Sequence, residues 1–497
     1  MDIEKRKMDN LHYLALLVSI LLIVYQWIRR NKITQKNLPP SPPGLPVIGH
    51  FHLLKNLTHQ TLNNLSNKYG PILLLHLGTR PVLVVSSRSA IEECFTKNDI
   101  IFANRPLLPS RKFENNLMSL GAAPYGDLWR NLRRFSVLEI FSSKRLKLSV
   151  NNRTEEIRLV IKHLFKSSFA GVKEVDVKSL VYQLDFNIIM KMVTGKRSFQ
   201  EEEMATNVAK NKLDELNQMF GPVASKSLGD YFPFLRWLTF YGAEKKLREK
   251  HIKREAFLQS LIDEHRKTNS STSVTSGEIG HTLIDAMLKL QESEPNFYTD
   301  NVIKGMILAI LRAGPHATVT TTELVVLRLT LHPEVFKTAR DEIDSHVGHS
   351  RLIDDADLAK LPYLYYIINE TLRLRSVSVL PPRESSTECT IGGYHIPAGT
   401  QLLVNSGAVH MDPQLWKDPD MFKPERFQQN EEEKVACKFL SFGSGRRQCP
   451  GAGLAMRLIA LLLGTLIQCF EWEKADGGSV KIIFRPREAL TKVLAEL

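Results

Sequence analysis

The chain has 497 residues, 43% of them apolar, so it can bury a large core, and its composition is that of an ordinary globular protein. Its formal net charge is +13, but the basic residues are spread along the chain, which favours an anionic membrane surface or an acidic protein partner over nucleic acid. A merely lysine-rich soluble surface explains the charge equally well. The five cysteines include no CxxC pair, which argues against a disulfide framework or a structural zinc site and indicates a reducing compartment.

The first predicted element is a membrane anchor within residues 1–30. Residues 11–28 form an apolar stretch without a formal charge, and at about 1.5 Å per residue it nearly spans a hydrocarbon core of roughly 30 Å. A cleaved signal peptide is the competing interpretation, but the stretch is longer than a usual signal core and no small-residue cleavage site follows it. Basic residues are slightly more numerous after the stretch than before it. The positive-inside rule therefore predicts a cytosolic main body.

A proline-rich hinge is predicted at residues 31–50, where the stretch LPPSPPGLPVIGH cannot continue a helix. Short β-like runs follow, and after them long stretches with helical period dominate. The polar segment 267–280 is predicted to be a surface loop rather than a domain linker, because helical pattern resumes on both sides of it. We therefore predict one domain over residues 51–497, mainly α-helical with small β-sheets.

The stretch AILRAGPHATVTTTE, at residues 309–323, is apolar and helical on both sides of Gly314, Pro315 and His316. Pro315 has no N–H group and so frees the carbonyl of Leu311. The sequence predicts a local break in a buried helix that crosses the core.

The most specific motif is FGSGRRQCPG, which begins at Phe442 and ends at Gly451. It places Cys449 in a glycine-rich loop just before an apolar helix. Backbone N–H groups and the helix N-terminus then favour the anionic form of the sulfur. Such a thiolate suits an iron ligand, whereas an inert buried thiol is the ordinary alternative.

The spacing of Phe442, Gly445, Arg447, Cys449 and Gly451 resembles the haem-binding loop of the cytochrome P450 family, the haem-thiolate monooxygenases. Three further segments share the resemblance, namely WRNLRR, ETLR with FKPERF, and PPRESS. The resemblance covers essentially the whole chain and implies the family fold, mainly α with small β-sheets (α+β). Details such as EECFTKND and ESSTECTIGGYHIPAGT resemble the plant A-type branch, near its isoflavonoid, lignan and terpenoid hydroxylases.

The resemblance implies a role for each matching residue. It implies haem b, iron protoporphyrin IX, with Cys449 as axial ligand and with propionate contacts from Trp129, Arg133, Arg383 and Arg447. It implies that Glu370, Arg373 and Arg426 form a buried charge network that holds the loop before the cysteine. Without the family, each of these arginines would be read as a solvated surface charge.

The resemblance also implies partners and a location. Electrons come from NADPH through a membrane-bound NADPH-cytochrome P450 reductase, and the positive net charge is compatible with an acidic docking face. The expected protein is a monomer with a single-pass anchor in the endoplasmic reticulum membrane and a cytosolic catalytic domain. It takes a small hydrophobic substrate and no nucleic acid.

The family pattern over the haem is Ala/Gly-Gly-x-Asp/Glu-Thr-Thr/Ser, and this chain departs from it. Gly314 matches, but His316 replaces the acid and Ala317 replaces the alcohol. In the family the alcohol hydrogen-bonds dioxygen and the acid helps to deliver protons. Thr318 is one residue further along the chain, which places it about 100° around an α-helix from the position of Ala317, unless the break shifts its register. His316 is interpreted either as a proton relay or as a histidine turned away from the groove in which the family binds dioxygen over the haem.

Three hypotheses follow from these residues. The first is an oxygen-dependent monooxygenase that hydroxylates a hydrophobic plant metabolite, with methylenedioxy-bridge closure on an ortho-hydroxy-methoxy aromatic, such as a lignan, as a variant. The second is an oxygen-independent haem-thiolate isomerase or dehydratase, and the third is a haem-binding scaffold without turnover. The substrate pocket is expected to be lined by residues 107–118, the stretch near Phe220, Leu308, Arg312 and residues 377–380.

Overall fold

The structure is a computed structural model, and its description covers most of the chain. The described residues are 13, 17–20, 37–54, 59–108, 118–169, 174–204, 206–221, 228–232, 236–271, 282–375, 380–428, 437–475 and 481–497. Apart from Tyr13 and residues 17–20, the predicted anchor at residues 11–28 lies outside them and stays a prediction. The same holds for most of the polar loop 267–280.

Helices dominate the described residues, as predicted. In chain order they are α1 (His59–Tyr69), α2 (Arg88–Phe95), α3 (Asp127–Phe135), α4 (Ser143–Leu148), α5 (Val150–Phe169), α6 (Val177–Thr194), α7 (Asn207–Phe220), α8 (Leu228–Tyr231), α9 (Arg236–Ser271), α10 (Leu283–Ser293), α11 (Asp300–Leu331), α12 (Pro333–His346), α13 (Pro362–Leu374), α14 (Ser406–His410), α15 (Ala452–Cys469) and α16 (Thr491–Ala495). Short 3-10 turns connect several of them, including one at Gly445–Arg447.

The strands form small sheets at the edge of the helical body. They are β1 (Ile72–Leu77), β2 (Arg80–Val85), β3 (Val175–Asp176), β4 (Arg383–Glu384), β5 (Cys389–Ile391), β6 (Tyr394–Ile396), β7 (Gln401–Val404), β8 (Phe470–Lys474) and β9 (Lys481–Pro486). The largest sheet has the order β1-β2-β7-β4, in which β2 and β7 are parallel and the other pairs antiparallel. The second has the order β3-β9-β8, and β5 pairs with β6.

Helix α11 lies at the centre of the helical body. It packs most extensively against α6 and also contacts α9, α13 and α15. Half of its 32 residues are buried, as expected for a largely apolar helix in a core. Its core residues belong to one hydrophobic cluster that also includes α5, α6, α10, α13 and α15.

The predicted break in α11 is wrong, because the helix is continuous from Asp300 to Leu331 with Pro315 inside it. Pro315 removes one helical hydrogen bond, but its side chain is buried, and packing on both sides holds the neighbouring turns in register. Gly314 has a packing role instead. A Cβ atom there would overlap Cδ1 of Ile189 on α6, so the glycine permits the two helices to approach closely.

Two of the described helices, α11 and α15, are long and apolar enough to cross a membrane. In both, however, about two thirds or more of the apolar window is buried inside the protein, 67% in α11 and 72% in α15. This burial is typical of core helices. Neither helix therefore substitutes for the predicted N-terminal anchor.

Candidate active site

The cysteine loop forms a tight turn between the 3-10 turn at Gly445–Arg447 and the start of α15. The Cys449 N–H donates to the carbonyl of Phe442 at 2.9 Å, which closes the loop. Burial raises the pKa of the Cys449 thiol, while the N–H groups of Gly451 and Ala452 and the charge of Arg133 lower it. Burial has the largest effect, so the thiol pKa lies above its ordinary value, and the N–H donors and the charge of Arg133 reduce the cost of ionisation to a thiolate.

Gly445 allows this loop to close on Asp99. Its φ angle is +67°, in the left-handed region, and a Cβ atom there would overlap Oδ1 of Asp99. The Arg446 N–H donates to both carboxylate oxygens of Asp99, at 3.2 and 3.1 Å. Asp99 is a site residue that sequence reasoning missed, although it lies within the EECFTKND segment used for the resemblance.

The structure brings Trp129 and Arg133 of α3 together with the cysteine loop. The Arg447 guanidinium lies over the Trp129 ring, 4.4 Å from its centroid. Arg133 donates to the carbonyl of Gln448 at 2.7 Å, immediately before Cys449. Arg447 is also held by the carbonyls of Ala103, Leu120 and Ala123, at 2.7, 3.2 and 2.6 Å.

Arg133, Arg383 and Arg447 form a partly buried cluster of positive charges. Burial lowers the pKa of Arg447 to about 9, with contributions from the charges of Arg383 and Arg133. Burial lowers the pKa of Arg383 to about 10, although Asp99 lies 3.5 Å away and opposes the shift. Clustered cations removed from water are costly unless an anion joins them. Beside a thiolate ligand, the two propionates of a haem meet this requirement, and the donor set therefore fits the cofactor.

Glu370, Arg373 and Arg426 form one buried charge network behind the loop. Arg373 donates to both oxygens of Glu370, at 2.7 and 2.8 Å, and Arg426 donates to Oε1 at 2.9 Å. Glu370 and Arg373 are 0% and 1% exposed. The N–H of Lys423 also donates to Glu370, at 3.0 Å, so the network joins α13 to the chain before the cysteine loop.

His410 connects this network to the cysteine loop and was missed by sequence reasoning. Its carbonyl accepts a hydrogen bond from Arg373 at 2.7 Å, and its Nε2 accepts one from the Leu440 N–H at 2.9 Å. Burial lowers the pKa of His410 to about 4, and the positive charge of Arg373 contributes. The ring is therefore neutral near pH 7 and can accept that bond. The sequence around His410 contains no motif that would have indicated this role.

The middle of α11 has an exposed face between buried turns. Ala313, His316, Ala317 and Thr320 are exposed and follow the spacing of one helix face. Thr318 is buried, and its hydroxyl donates to the carbonyl of Gly314 at 3.2 Å. The continuous helix gives no register shift that would move Thr318 to the position of Ala317.

The predicted pocket residues are only partly described. Leu308 and Phe220 are buried, and Arg312 is half-buried. Burial lowers the pKa of Lys250 on α9, and the positive charges of Arg254 and then Arg312 lower it further. Arg312 therefore lies close to other cations of α9. Residues 109–117, 222–227 and 376–379 lie outside the described residues.

A sequence model of one family, the cytochrome P450 family, matches residues 39–494. The chain belongs to the cytochrome P450 family. It is 46% identical over 480 residues to a (+)-piperitol/(+)-sesamin synthase of Sesamum radiatum, covering 95% of this chain and 93% of the relative. It is 42% identical over 491 residues to an isoflavone 2'-hydroxylase of Glycyrrhiza echinata, covering 97% and 95%. An isoflavone 3'-hydroxylase of Medicago truncatula is 41% identical over 470 residues, covering 93% and 92%.

Family membership confirms several of the predictions made from sequence. The protein is an oxygen-using oxidoreductase with the mainly helical cytochrome P450 fold. It contains haem with an axial cysteine thiolate and receives electrons from a reductase partner. Its relatives identify it as a plant cytochrome P450 of the hydroxylase group, acting on specialised metabolites.

Proposed function

We propose that the protein is an NADPH- and dioxygen-dependent monooxygenase that oxidises a hydrophobic plant specialised metabolite, with Cys449 as the iron ligand. The observation that supports this most directly is the cysteine loop, in which a donor-surrounded sulfur adjoins the cluster of Arg133, Arg383 and Arg447. We further propose a monomer in the endoplasmic reticulum membrane, with residues 11–28 as its single span and a cytosolic catalytic domain.

The chain's own residues perform the binding and positioning steps. When bound, the haem supplies the activation of dioxygen. Cys449 would hold its iron, and Trp129 and the three arginines would hold its propionates. The Glu370–Arg373–Arg426 network keeps the cysteine loop in place through Arg373 and His410. On α11, the small side chains of Ala313 and Ala317 leave room for substrate on the exposed face of the helix.

Two outcomes are compatible with this site. The relatives named isoflavone hydroxylases support hydroxylation of an aromatic substrate, and the relative named piperitol/sesamin synthase supports a lignan substrate with bridge closure. Ala317 at the usual position of the alcohol is equally compatible with the bridge-forming variant. The oxygen-independent isomerase or dehydratase considered from the sequence does not fit an oxygen-using oxidoreductase and is set aside.

Reconstitution with reductase tests the proposed function and distinguishes hydroxylation from bridge closure. The haem-loaded protein is incubated with isoflavones or (+)-piperitol, with and without NADPH, and products and peroxide are quantified. Product that requires NADPH and dioxygen is the expected result. Product formed without NADPH would overturn the proposed function, and loss of (+)-piperitol without gain of a hydroxyl group would identify bridge closure.

Ala317→Thr is expected to lower the peroxide released per NADPH oxidised. The new hydroxyl on the exposed face of α11 can donate a hydrogen bond to dioxygen, as the alcohol of the family pattern does. Such a bond is worth about 1 kcal/mol, which corresponds to roughly a fivefold change in the peroxide released per NADPH. The matched control is Ala313→Ser, which adds a hydroxyl one turn earlier on the same face. An unchanged peroxide yield in Ala317→Thr would remove this position from the mechanism.

The face of α3 next to the cysteine loop is proposed as the docking surface for the reductase. A shallow pocket of about 330 Å³ there is lined by Tyr125, Trp129, Arg130, Arg133, Arg134, Val137, Leu138 and Arg446. Val137 and Leu138 are 42% and 57% exposed. Apolar side chains surrounded by arginines suit an acidic protein partner with an apolar centre.

Arg134→Glu is expected to weaken reductase binding about tenfold at low salt, with a smaller effect at high salt, because docking charges are screened. The measurement is the reductase concentration that gives half-maximal turnover. Arg485→Glu, on the β9 strand, reverses another exposed charge and is expected to leave reductase binding unchanged. Equal effects of the two substitutions would show that net charge, rather than this surface, controls docking.

A further inference from the structure

A buried carboxyl group faces the middle of α11 from the neighbouring helix α6. Asp185 is 2% exposed and lies one turn before Ile189, the residue that packs against Gly314. Thr318 lies one turn after Gly314. Asp185 therefore faces Thr318 across the contact of the two helices, one turn away from the place where Ile189 faces Gly314. Asp185 belongs neither to the cysteine loop, nor to the cluster of Arg133, Arg383 and Arg447, nor to the charge network of Glu370.

The Asp185 carboxyl group lies within hydrogen-bonding reach of the Thr318 hydroxyl, and that hydroxyl donates to the carbonyl of Gly314 at 3.2 Å. A hydroxyl has one proton to donate and lone pairs to accept with. While Thr318 donates to Gly314, Asp185 must therefore donate to Thr318, which requires the protonated acid. When Asp185 is ionised, the Thr318 proton turns towards it. Asp185 and the Thr318 hydroxyl can thus exchange a proton, while the Gly314 carbonyl only accepts a hydrogen bond from Thr318.

The surroundings of Asp185 favour its neutral form. Its Oδ2 has no hydrogen-bond partner among the described residues. A buried carboxylate with an oxygen left unsatisfied is costly, and such a group binds a proton instead. Burial raises the pKa of Asp185 to about 7, against the opposing effect of the Thr318 hydrogen bond. Near neutral pH the group can both release and recover a proton, as an acid–base relay requires.

The position of Thr318 on α11 is also informative. Gly314 is half-buried and adjoins the exposed Ala313, so its carbonyl lies at the border between the α6 contact and the exposed face. Pro315 leaves the Leu311 carbonyl without its helical donor at the same turn. Carbonyl oxygens at this border can bind water, which would connect Thr318 to the exposed face.

We propose that Asp185, acting through the hydroxyl of Thr318, supplies a proton to the oxygen site of this enzyme. This proposal rests on the monooxygenase function proposed above. In that reaction NADPH, a proton, dioxygen and substrate R–H give NADP⁺, R–OH and water. The hydrogen of R–H stays in the product R–OH, and the water takes up two protons, one released by the oxidation of NADPH and one taken from solvent. Asp185 transfers its proton to Thr318 as Thr318 passes its own proton to a water molecule bound beside the Gly314 and Leu311 carbonyls, and that water carries the proton to the oxygen site. The carboxylate recovers a proton from solvent water through the same hydroxyl after product leaves.

Asp185 is not a catalytic residue in this account, because it acts through Thr318. Two isosteric substitutions test the link, Asp185→Asn, which removes the acid, and Thr318→Val, which removes the hydroxyl. Thr322→Val is the matched control. The hydroxyl of Thr322 makes the same kind of helical bond, to the Thr318 carbonyl at 2.9 Å, in an equally buried position.

The first measurement needs no turnover. Infrared spectra of the haem-loaded ferric protein near pH 7 are expected to contain the C=O band of a protonated carboxyl group. The band should disappear in Asp185→Asn, shift in Thr318→Val and stay unchanged in Thr322→Val. A spectrum without a band that depends on Asp185, or a band that Thr318→Val leaves unmoved, would overturn the proposal.

The second measurement uses reductase, NADPH and whichever isoflavone or lignan probe gives product. Asp185→Asn and Thr318→Val are expected to lower product per NADPH by about tenfold or more, with a matching rise in peroxide, since acid–base groups contribute on the order of 100-fold or more to rates. Thr322→Val should resemble the wild type. Iodosylbenzene supplies an oxygen atom to R–H, giving R–OH and iodobenzene without protons from the protein, so it should support equal product formation in all variants.

Equal losses with NADPH and with iodosylbenzene would show a merely structural role and overturn the proposal. If Asp185→Asn fails to bind haem, Thr318→Val is compared with Thr322→Val instead. A loss of product with NADPH but not with iodosylbenzene, in Thr318→Val alone, supports the proposal, and equal losses with both oxidants overturn it. A wild-type protein that makes no NADPH-dependent product would refute the monooxygenase function instead. The infrared comparison would still report whether Asp185 is protonated and bonded to Thr318.

Discussion

Replacement of Cys449 by serine is expected to reduce NADPH-dependent turnover by at least about a hundredfold, because residues that merely orient a metal ligand are already worth about 10- to 100-fold. Serine keeps the size and the backbone of the loop but does not supply a thiolate. The protein should also lose the carbon monoxide difference band that is characteristic of thiolate-ligated haem. Both quantities are measured on protein purified with its haem content determined.

Cys437→Ser is the control for this substitution. Cys437 lies in the chain just before the loop, is half-buried and faces the Ser444 hydroxyl at 3.7 Å. Its replacement should leave the carbon monoxide band and turnover unchanged. A Cys449→Ser protein that retains the thiolate band would show that another cysteine binds the iron.

Glu370→Gln is expected to lower the free energy of unfolding by about 3 to 5 kcal/mol, as is typical when one partner of a buried ion pair is removed. The substitution leaves Arg373, which is 1% exposed, and Arg426 without their shared carboxylate. Because Arg373 also holds His410, and His410 holds Leu440, the cysteine loop should lose its support. Chemical denaturation and haem content measure the two effects.

The matched comparison is Glu92→Gln, which removes a helical ion pair with Arg88 at the surface. Both side chains of that pair are about one-third exposed, and such pairs contribute about 0.5 kcal/mol or less. Equal stability and equal haem retention in the two variants would refute the supporting role of the buried network.

Local sequence was sufficient wherever the function depends on neighbouring residues. The ten residues from Phe442 to Gly451 contain the iron ligand, the glycines that turn the loop and the helix start behind it. The i, i+3 spacing of Glu370 and Arg373 was likewise visible, because one helix turn sets it. The apolar stretch around residues 309–323 was predicted to lie in a buried helix, and the structure confirms the helix and the burial of one side, while Ala313, His316, Ala317 and Thr320 form an exposed face.

Prediction failed where neighbouring helices decide the outcome. Gly314 and Pro315 predicted a break, but packing of α6 against α11 keeps the helix continuous and uses the glycine for close approach. Asp99 and His410 were missed, because each contacts the cysteine loop from a segment distant in the chain. Their roles depend on contacts that no local pattern contains.

The sequence by itself determined the family, the haem ligand and the helical class of the fold, since the cysteine loop and the apolar periodicity are local properties of the chain. Only the tertiary structure decided what surrounds them. It gathered Arg133, Arg383 and Arg447 from three separate elements into one cluster, and it placed Asp185 against Thr318. A single aspartate in an apolar helix has no special meaning in a sequence. Its burial, its unsatisfied oxygen and its partner exist only once α6 packs on α11.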